Sequence, residues 1–305
     1  MLTLAHIVNP VTVSERSDLF VAQPVTFETM RRAREAARSE VEVALLTAQF
    51  PEDRALVPDE FTPTPDLDHS ALDLQEFGVR WKLPLARDIL DRLYEHAPRA
   101  DFLIYTNVDI ALMPHFYIAI RKILDQGIDS FVVNRRSISG DYGSIDEIPL
   151  MYSAVGDPHL GYDCFVFRRD AYPRFYLAAA FIGVPPIGKV LLANLMCSSA
   201  RFEVFKELHL TFHIGDAMPW RSNTYADYEK RNMAEYQQVL AHHARCLEKL
   251  DEAQLRYLNL SRRRYTAALS SATRTVHRFT SELREARRRI RVAARTESIR
   301  RATWR

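Results

Sequence analysis

Two polar residues, Asn107 and Asp109, follow an apolar run, Phe102-Leu-Ile-Tyr105. Two apart in extended chain, they can project to one side, offering a carboxylate and a neutral carbonyl oxygen. That pair suits a hard divalent cation, which can in turn clamp a substrate pyrophosphate. The run before them reads as a strand buried on both faces. In open α/β sheets, ligands sit just beyond the carboxyl ends of such strands. Asn and Asp also favour turns, where they satisfy backbone groups. Residue types alone therefore leave a ligand role and a turn role open.

Three more segments carry chemistry-bearing side chains. Leu208-His-Leu-Thr-Phe-His-Ile-Gly-Asp-Ala-Met-Pro-Trp220 reads as a strand ending in His213, followed by a turn at Gly215. Imidazole is a good ligand for Mn-like metals, and Gly215 permits close backbone approach. His209 alternates onto the same face as His213. The other reading is a His satisfied in a buried strand. Asp163 stands just before the apolar run Cys164–Phe167. It could act as a general base or bind sugar hydroxyls, or pair with Arg168 or Arg169. Arg80 and Lys82, with Arg87 a turn further on, could meet diphosphate oxygens or form a solvated helix start. An acidic loop adds Asp66, Asp68 and His69.

These residues need elements to position them. Leu2–Val8 and Val41–Leu46 read as strands, with helical spacing over Phe27–Ser39 between them. That is a βαβ unit, as a parallel sheet requires. Pro51–Asp68 reads as a long loop of the kind that often serves as a lid. Further helices are expected at Leu83–Leu93, His115–Asp125 (opened by Pro114) and Ile187–Met196. Ser130–Asn134 and Leu208–His213 add strands. Ser137–Ser153 reads as loop, and 225 to about 250 as one long polar helix. Strands alternating with helices argue for a layered α/β domain.

Composition bounds the class. The 305 residues are 47% hydrophobic and 26% charged, as in an ordinary globular protein. A net charge of +2 hides an asymmetry: residues 256–305 hold 15 Arg and 3 Glu, leaving about −10 on the rest. Three scattered cysteines, Cys164, Cys197 and Cys246, suggest no disulfide framework or zinc pattern and fit a reducing cytosol. The start lacks the basic region of a signal peptide, and no apolar run reaches membrane-spanning length. There is no Gly-x-Gly-x-x-Gly, phosphate loop, Gly-x-Ser-x-Gly elbow or His-Glu-x-x-His.

Taken together, these segments resemble GT-A-fold glycosyltransferases, which bind a nucleotide sugar through an Asp-x-Asp motif after a central strand. Asn107-Val-Asp109 is similar to that motif with Asn for the first acid. His213-Ile-Gly-Asp-Ala-Met-Pro-Trp220 is similar to a late His-x-x-Gly-x-x-Lys-Pro-Trp segment of glycogenin-like enzymes. Here one residue fewer separates His and Gly, and Met218 replaces the Lys. The resemblance spans about residues 1–220. It implies an α/β fold with a mixed, largely parallel sheet between helices, residues 1–224 as catalytic domain and 225–305 as a helical, Arg-rich extension. It implies Asp109 and His213 as ligands of Mn²⁺ or Mg²⁺ and Asn107 as a donor contact, beside which the cations Arg80 and Lys82 are expected to meet the donor diphosphate. Asn9 would lie near the base, and Asp163 near the sugar or acceptor hydroxyl. The expected partners are a nucleotide-sugar donor and a glycan or lipid-linked acceptor, as in surface polysaccharide synthesis.

The expected location is cytoplasmic, with peripheral contact to an anionic membrane through the Arg-rich tail. Nucleic acid is not expected, because aromatics are sparse among the tail's cations. Another nucleotide-binding transferase, or a non-catalytic protein acting through the tail, are the competing classes. The first usually needs a Gly-rich loop after the first strand, and Val8–Asp18 has no glycine.

Overall fold

The structure, a computed structural model, describes residues 1–159, 161–215 and 223–261. Met218, Pro219, Trp220 and the Arg-rich tail lie outside the described residues. Residues up to His243 belong to one compact unit, and the described residues from Ala244 on to a second.

In the first unit, β1 (Leu2–Val8), α1 (Leu19–Ala37) and β2 (Val41–Thr47) form the expected βαβ unit. They are followed by β3 (Thr62–Pro63), α2 (Ala86–His96), β4 (Phe102–Thr106), β5 (Ala111–Leu112), α3 (Phe116–Leu124), β6 (Ser130–Val133) and β7 (Arg136–Ile138). The unit continues through α4 (Ile148–Ser153), β8 (Asp157–Pro158), β9 (Cys164–Arg168), α5 (Ile187–Ser198), β10 (Phe202–Phe205), β11 (Thr211–Ile214) and α6 (Ala226–His242). Seven strands pair in the order β10-β6-β9-β4-β1-β2-β3. All run parallel except β9, which is antiparallel to β4 and β6. The buried faces of β1, β4 and β6 pack with α1 and α3 into a core that includes Leu4, Met30, Ile104, Phe116, Ile120 and Phe131. A sheet covered by apolar helix stripes reads as near-continuous hydrophobic strands, which is why the central strands are visible in sequence.

A second sheet of four short strands, β5-β11-β7-β8, stands beside the first. Strands this short give little periodic signal, and sequence reading missed β3, β5, β7, β8 and β10. The supposed loop Ser137–Ser153 holds the end of β7 and all of α4. Helix α1 begins eight residues earlier than expected; Pro24, a helix breaker in sequence terms, lies inside its second turn, where most of the helix is still ahead of it. The strand expected from Leu208 begins only at Thr211, and His209 sits in a turn, so it does not alternate with His213.

Helix α6 packs with the first unit. Asn232 Nδ2 donates to the carbonyls of Phe181 and Val184 at 2.9 and 2.8 Å, and Asn232 Oδ1 accepts from Phe181 N. The second unit contains α7 (Ala244–Leu247) and α8 (Glu252–Tyr257), the latter opened by an Asp251–Gln254 capping box. Cys197 and Cys246 are each disulfide-bonded, which corrects the expectation drawn from the cysteine count. Cys164 is free and buried. No helix among the described residues is long and apolar enough to cross a membrane.

Candidate active site

Register assembles the site. At their carboxyl ends, Tyr105 of β4 pairs with Ile7 of β1, and Val8 of β1 pairs with Thr47 of β2. Because β9 is antiparallel, its first residue, Cys164, pairs with the last residues of its neighbours, Thr106 and Val133. One edge of the sheet therefore carries Asn9 after β1, Asn107 and Asp109 after β4, Asn134 and Arg135 after β6, and Asp163 before β9. This is the crevice where ligands of open α/β sheets bind.

The second sheet brings in His213. Asn107 and Ile110 close a turn (Ile110 N to Asn107 O, 3.2 Å), and the chain leaves it directly into β5. In the antiparallel β5–β11 pair Phe212 faces Ala111, so His213 falls beside the turn. In the parallel β11–β7 pair Phe212 faces Arg136. The short strand β11 thus holds His213 between the segments that carry Asp109 and Arg135.

His213 Nε2 lies 3.2 Å from Asp109 Oδ2. His213 Nδ1 is 2.9 Å from the carbonyl oxygen of Gly215. A carbonyl only accepts, so Nδ1 carries a proton, and in neutral imidazole Nε2 then presents a lone pair to the carboxylate. Two facing lone pairs need a proton or a cation between them. An imidazole whose other nitrogen is committed to a backbone carbonyl is the usual form of a metal-ligating His. Gly215 makes this carbonyl available at φ +75°, a left-handed conformation that glycine adopts without strain. Asp109 Oδ1 is buried without a hydrogen-bond partner among the described residues. Burial works to raise the Asp109 carboxyl. When a proton on Nε2 bridges the two groups, the His213 hydrogen bond and the charges of His213 and Arg135 outweigh it and hold the carboxyl below the usual carboxylate range. A buried, ionised carboxylate oxygen and an imidazole lone pair fit a hard or borderline divalent cation.

Asn107 Oδ1 accepts a hydrogen bond from the Tyr105 hydroxyl at 2.7 Å. Burial, reinforced by the charge of Asp109, keeps that phenol protonated and donating. The amide oxygen retains a second lone pair.

Asp163 Oδ1 accepts from Arg135 Nη1 at 3.0 Å, and both side chains are buried. The partner is neither Arg168, which pairs with Asp170, nor Arg169, which donates to the Tyr94 and Ala97 carbonyls. Oδ2 has no donor. His159 Nδ1 lies 3.4 Å from it, but that nitrogen already accepts from Gly161 N at 3.0 Å. Among the described residues, Arg135 Nε and Nη2 are likewise buried and unpartnered, as are Asn9 Oδ1 and Asn134 Oδ1. Buried polar groups are normally satisfied, and orphans concentrated at one place point to a missing ligand, ion or water. Sequence reading overlooked Arg135 and Asn134. Their only signal was their place just after the buried strand Ser130–Val133.

Arg80 and Lys82 lie apart from this cluster in chain contacts. Trp81 between them stacks on Tyr225 at 3.9 Å, and its backbone N–H donates to the Tyr228 hydroxyl. Lys82 pairs with Glu52 at 2.7 Å and lies 4.0 Å above the Phe50 ring. Arg80 is exposed and makes no ion pair among the described residues. Phe50 and Glu52 follow β2, so these contacts tie Lys82 to the chain beyond that strand. Near it Asp68, His69 and Asp88 offer three ligand atoms within 4.8 Å of one another. Asp68 and His69 are exposed, and Arg92 lies 3.6 Å from Asp68, which already compensates its charge.

This strand order, with one antiparallel member and a polar edge around Asp109, defines a GT-A-like fold. No protein-family profile matches the sequence, and neither does any curated protein. Among solved structures, the chain is similar to S. aureus TarS residues 1–349 in complex with UDP-GlcNAc. The TM-score is 0.51 at 9% identity, covering 84% of this chain and 70% of that one. A Mycobacterium tuberculosis glucosyl-3-phosphoglycerate synthase in complex with phosphoglyceric acid aligns over 80% of each chain, at 14% identity and a TM-score of 0.41.

Proposed function

We propose that the protein is a metal-dependent glycosyltransferase that moves a sugar from a nucleotide-sugar donor to a glycan or lipid-linked acceptor. The observation that carries this reading is the facing of Asp109 Oδ2 and His213 Nε2 at 3.2 Å, at the carboxyl edge of the sheet. The fold shared with TarS, seen with UDP-GlcNAc, supports a nucleotide sugar as the donor. Mn²⁺ or Mg²⁺ held by Asp109 and His213, with Asn107 close by, would neutralise charge on the departing diphosphate. Arg135, with two unpartnered nitrogens, would bind diphosphate oxygens through its fork of donors. Asn9 would meet the base or ribose, and Arg80 and Lys82 would flank the phosphates. Asp163 Oδ2 would accept the proton of the attacking hydroxyl. Surface polysaccharide synthesis is the role that suits such an enzyme.

A thermal-shift panel of nucleotide sugars with and without Mn²⁺ tests this. A ligand that binds only the native state raises the melting temperature by mass action. The reading requires at least one nucleotide sugar to stabilise the protein in the presence of Mn²⁺ and to lose that effect in EDTA. No response from any donor with metal would refute it.

A further inference from the structure

A cavity of about 640 Å³ opens along α1, outside the polar cluster. Its floor is one stripe of that helix, from Phe20 through Pro24 and Phe27 to Arg31. Residues three and four apart share a helix face, and the stripe is about 16 Å long at 1.5 Å per residue. The walls come from three loops: Val11–Val13 after β1, Leu56–Phe61 after β2, and Gly143–Ile145 before α4. Three of the large hydrophobic side chains exposed on the molecule, Phe20 (48%), Ile145 (43%) and Leu56 (39%), line this one groove. Exposed apolar side chains gathered in one place mark a binding surface more often than scattered ones do.

Two polar side chains that line the groove, Glu28 and Gln23, are already engaged. Glu28 accepts from Arg31 and Arg32 at 2.7–2.8 Å. Gln23, on the floor, exchanges two 2.8 Å bonds with the backbone of Val11. The Gln23 pairing fixes the Val11 wall against the helix floor. Val11 is two residues beyond Asn9, so the groove begins where the donor edge of the sheet ends. A cavity of about 640 Å³ has room for a single hydrocarbon chain.

We propose that this groove binds the hydrocarbon chain of an amphiphilic acceptor, whose polar end reaches the carboxyl edge of the sheet. The assignment deepens the glycosyltransferase reading and rests on it for the word acceptor. Chain binding itself is independent of any nucleotide.

The test is titration of the full-length protein, without metal or nucleotide, with a pyrene-labelled sixteen-carbon alcohol kept monomeric in solution. Wild type should bind saturably with one site, and a labelled four-carbon alcohol should bind at least tenfold more weakly. Phe20→Asp/Ile145→Asp should weaken binding of the long chain at least tenfold while the melting temperature stays within a few degrees. Leu56→Asp, at a separate exposed wall position, gives a second reading should the double variant misfold. Absence of saturable binding by wild type, or equal binding by wild type and folded variants, would overturn the proposal. Donor binding in the thermal-shift panel is scored separately. A protein that binds the chain but no nucleotide sugar keeps the groove and loses the glycosyltransferase reading, and the converse result does the reverse.

Discussion

His213 Nε2 and Asp109 Oδ2 stand 3.2 Å apart although the other imidazole nitrogen is committed to the Gly215 carbonyl. Two acceptors at that separation are held together by whatever lies between them. With a divalent cation there, Asp109→Ala should lower transfer on the order of 10³-fold. His213→Ala removes a ligand, so its cost in metal affinity should be no smaller than the roughly tenfold seen for supporting residues. Calorimetric titration with Mn²⁺ and single-turnover transfer assays check both. Near wild-type metal affinity in folded Asp109→Ala would remove the site.

The buried pair of Arg135 and Asp163 separates stability from binding. Removing one partner strands a charge at a site with under a tenth of either side chain exposed. Arg135→Ala should therefore cost about 3–5 kcal/mol of stability. Arg135→Ala/Asp163→Ala should recover most of it, because no lone charge remains. Donor binding should not recover in the double variant if the two unpartnered guanidinium nitrogens serve the diphosphate. Urea unfolding and donor titration of the single and double variants decide between a structural and a ligand-binding arginine.

Stability should fall in mild acid through histidines buried neutral. His6 is fully enclosed, bonded to Tyr117 Oη and Thr106 Oγ1 at 2.9 Å each, and burial lowers its pKa to about 3. His243, bonded to Asn194, is lowered to about 4, by burial first and by His242 second. Both are depressed relative to the unfolded chain, so the unfolded state binds more protons once pH drops below about 6.5. Stability is full above that pH and is lost as pH falls toward the folded values. His6 should contribute on the order of 3 kcal/mol by pH 4, and the less enclosed His243 less. Glu28, lowered to about 2 chiefly by its Arg31 bond, adds its own loss only below about pH 4.5. Urea midpoints between pH 7.5 and 5 should thus slope downward in wild type and flatten in His6→Gln. An unchanged slope in that variant would contradict the assignment.

The parts of this molecule that sequence revealed are those with strong local signals. Phe102–Tyr105 is apolar throughout because both faces of β4 are covered, so Asn107 and Asp109 could be placed at its end. Asp163 precedes an equally plain strand, but that β9 runs antiparallel, and so returns Asp163 to the same edge, is a fact of pairing that no local pattern records. The approach of His213 to Asp109 depends on β5 and β11, strands of two and four residues. Arg135 was invisible because a cation after a strand is ordinary on a surface. Only its burial against Asp163, with two nitrogens unanswered, distinguishes it. The helical stripe under the apolar groove was hidden by Pro24, which reads as a terminator and lies inside α1.

Asp163 offers one open acceptor. Its Oδ1 is held by Arg135, and Oδ2 is buried with no donor, because the nearby His159 Nδ1 already accepts from Gly161. A carboxylate fixed on one oxygen and free on the other is placed to take a proton from an acceptor hydroxyl. Direct attack by that hydroxyl opposite the departing diphosphate inverts the anomeric centre. Asp163→Asn keeps the size and removes the base, so transfer should fall by about 10²–10⁴. Metal-dependent donor binding should remain, since Asp163 is not a metal ligand in this arrangement. Proton NMR of the freshly formed product should show the anomeric configuration opposite to that of the donor. Retention of configuration, or transfer by Asp163→Asn at the wild-type rate, would assign Asp163 to holding Arg135 alone.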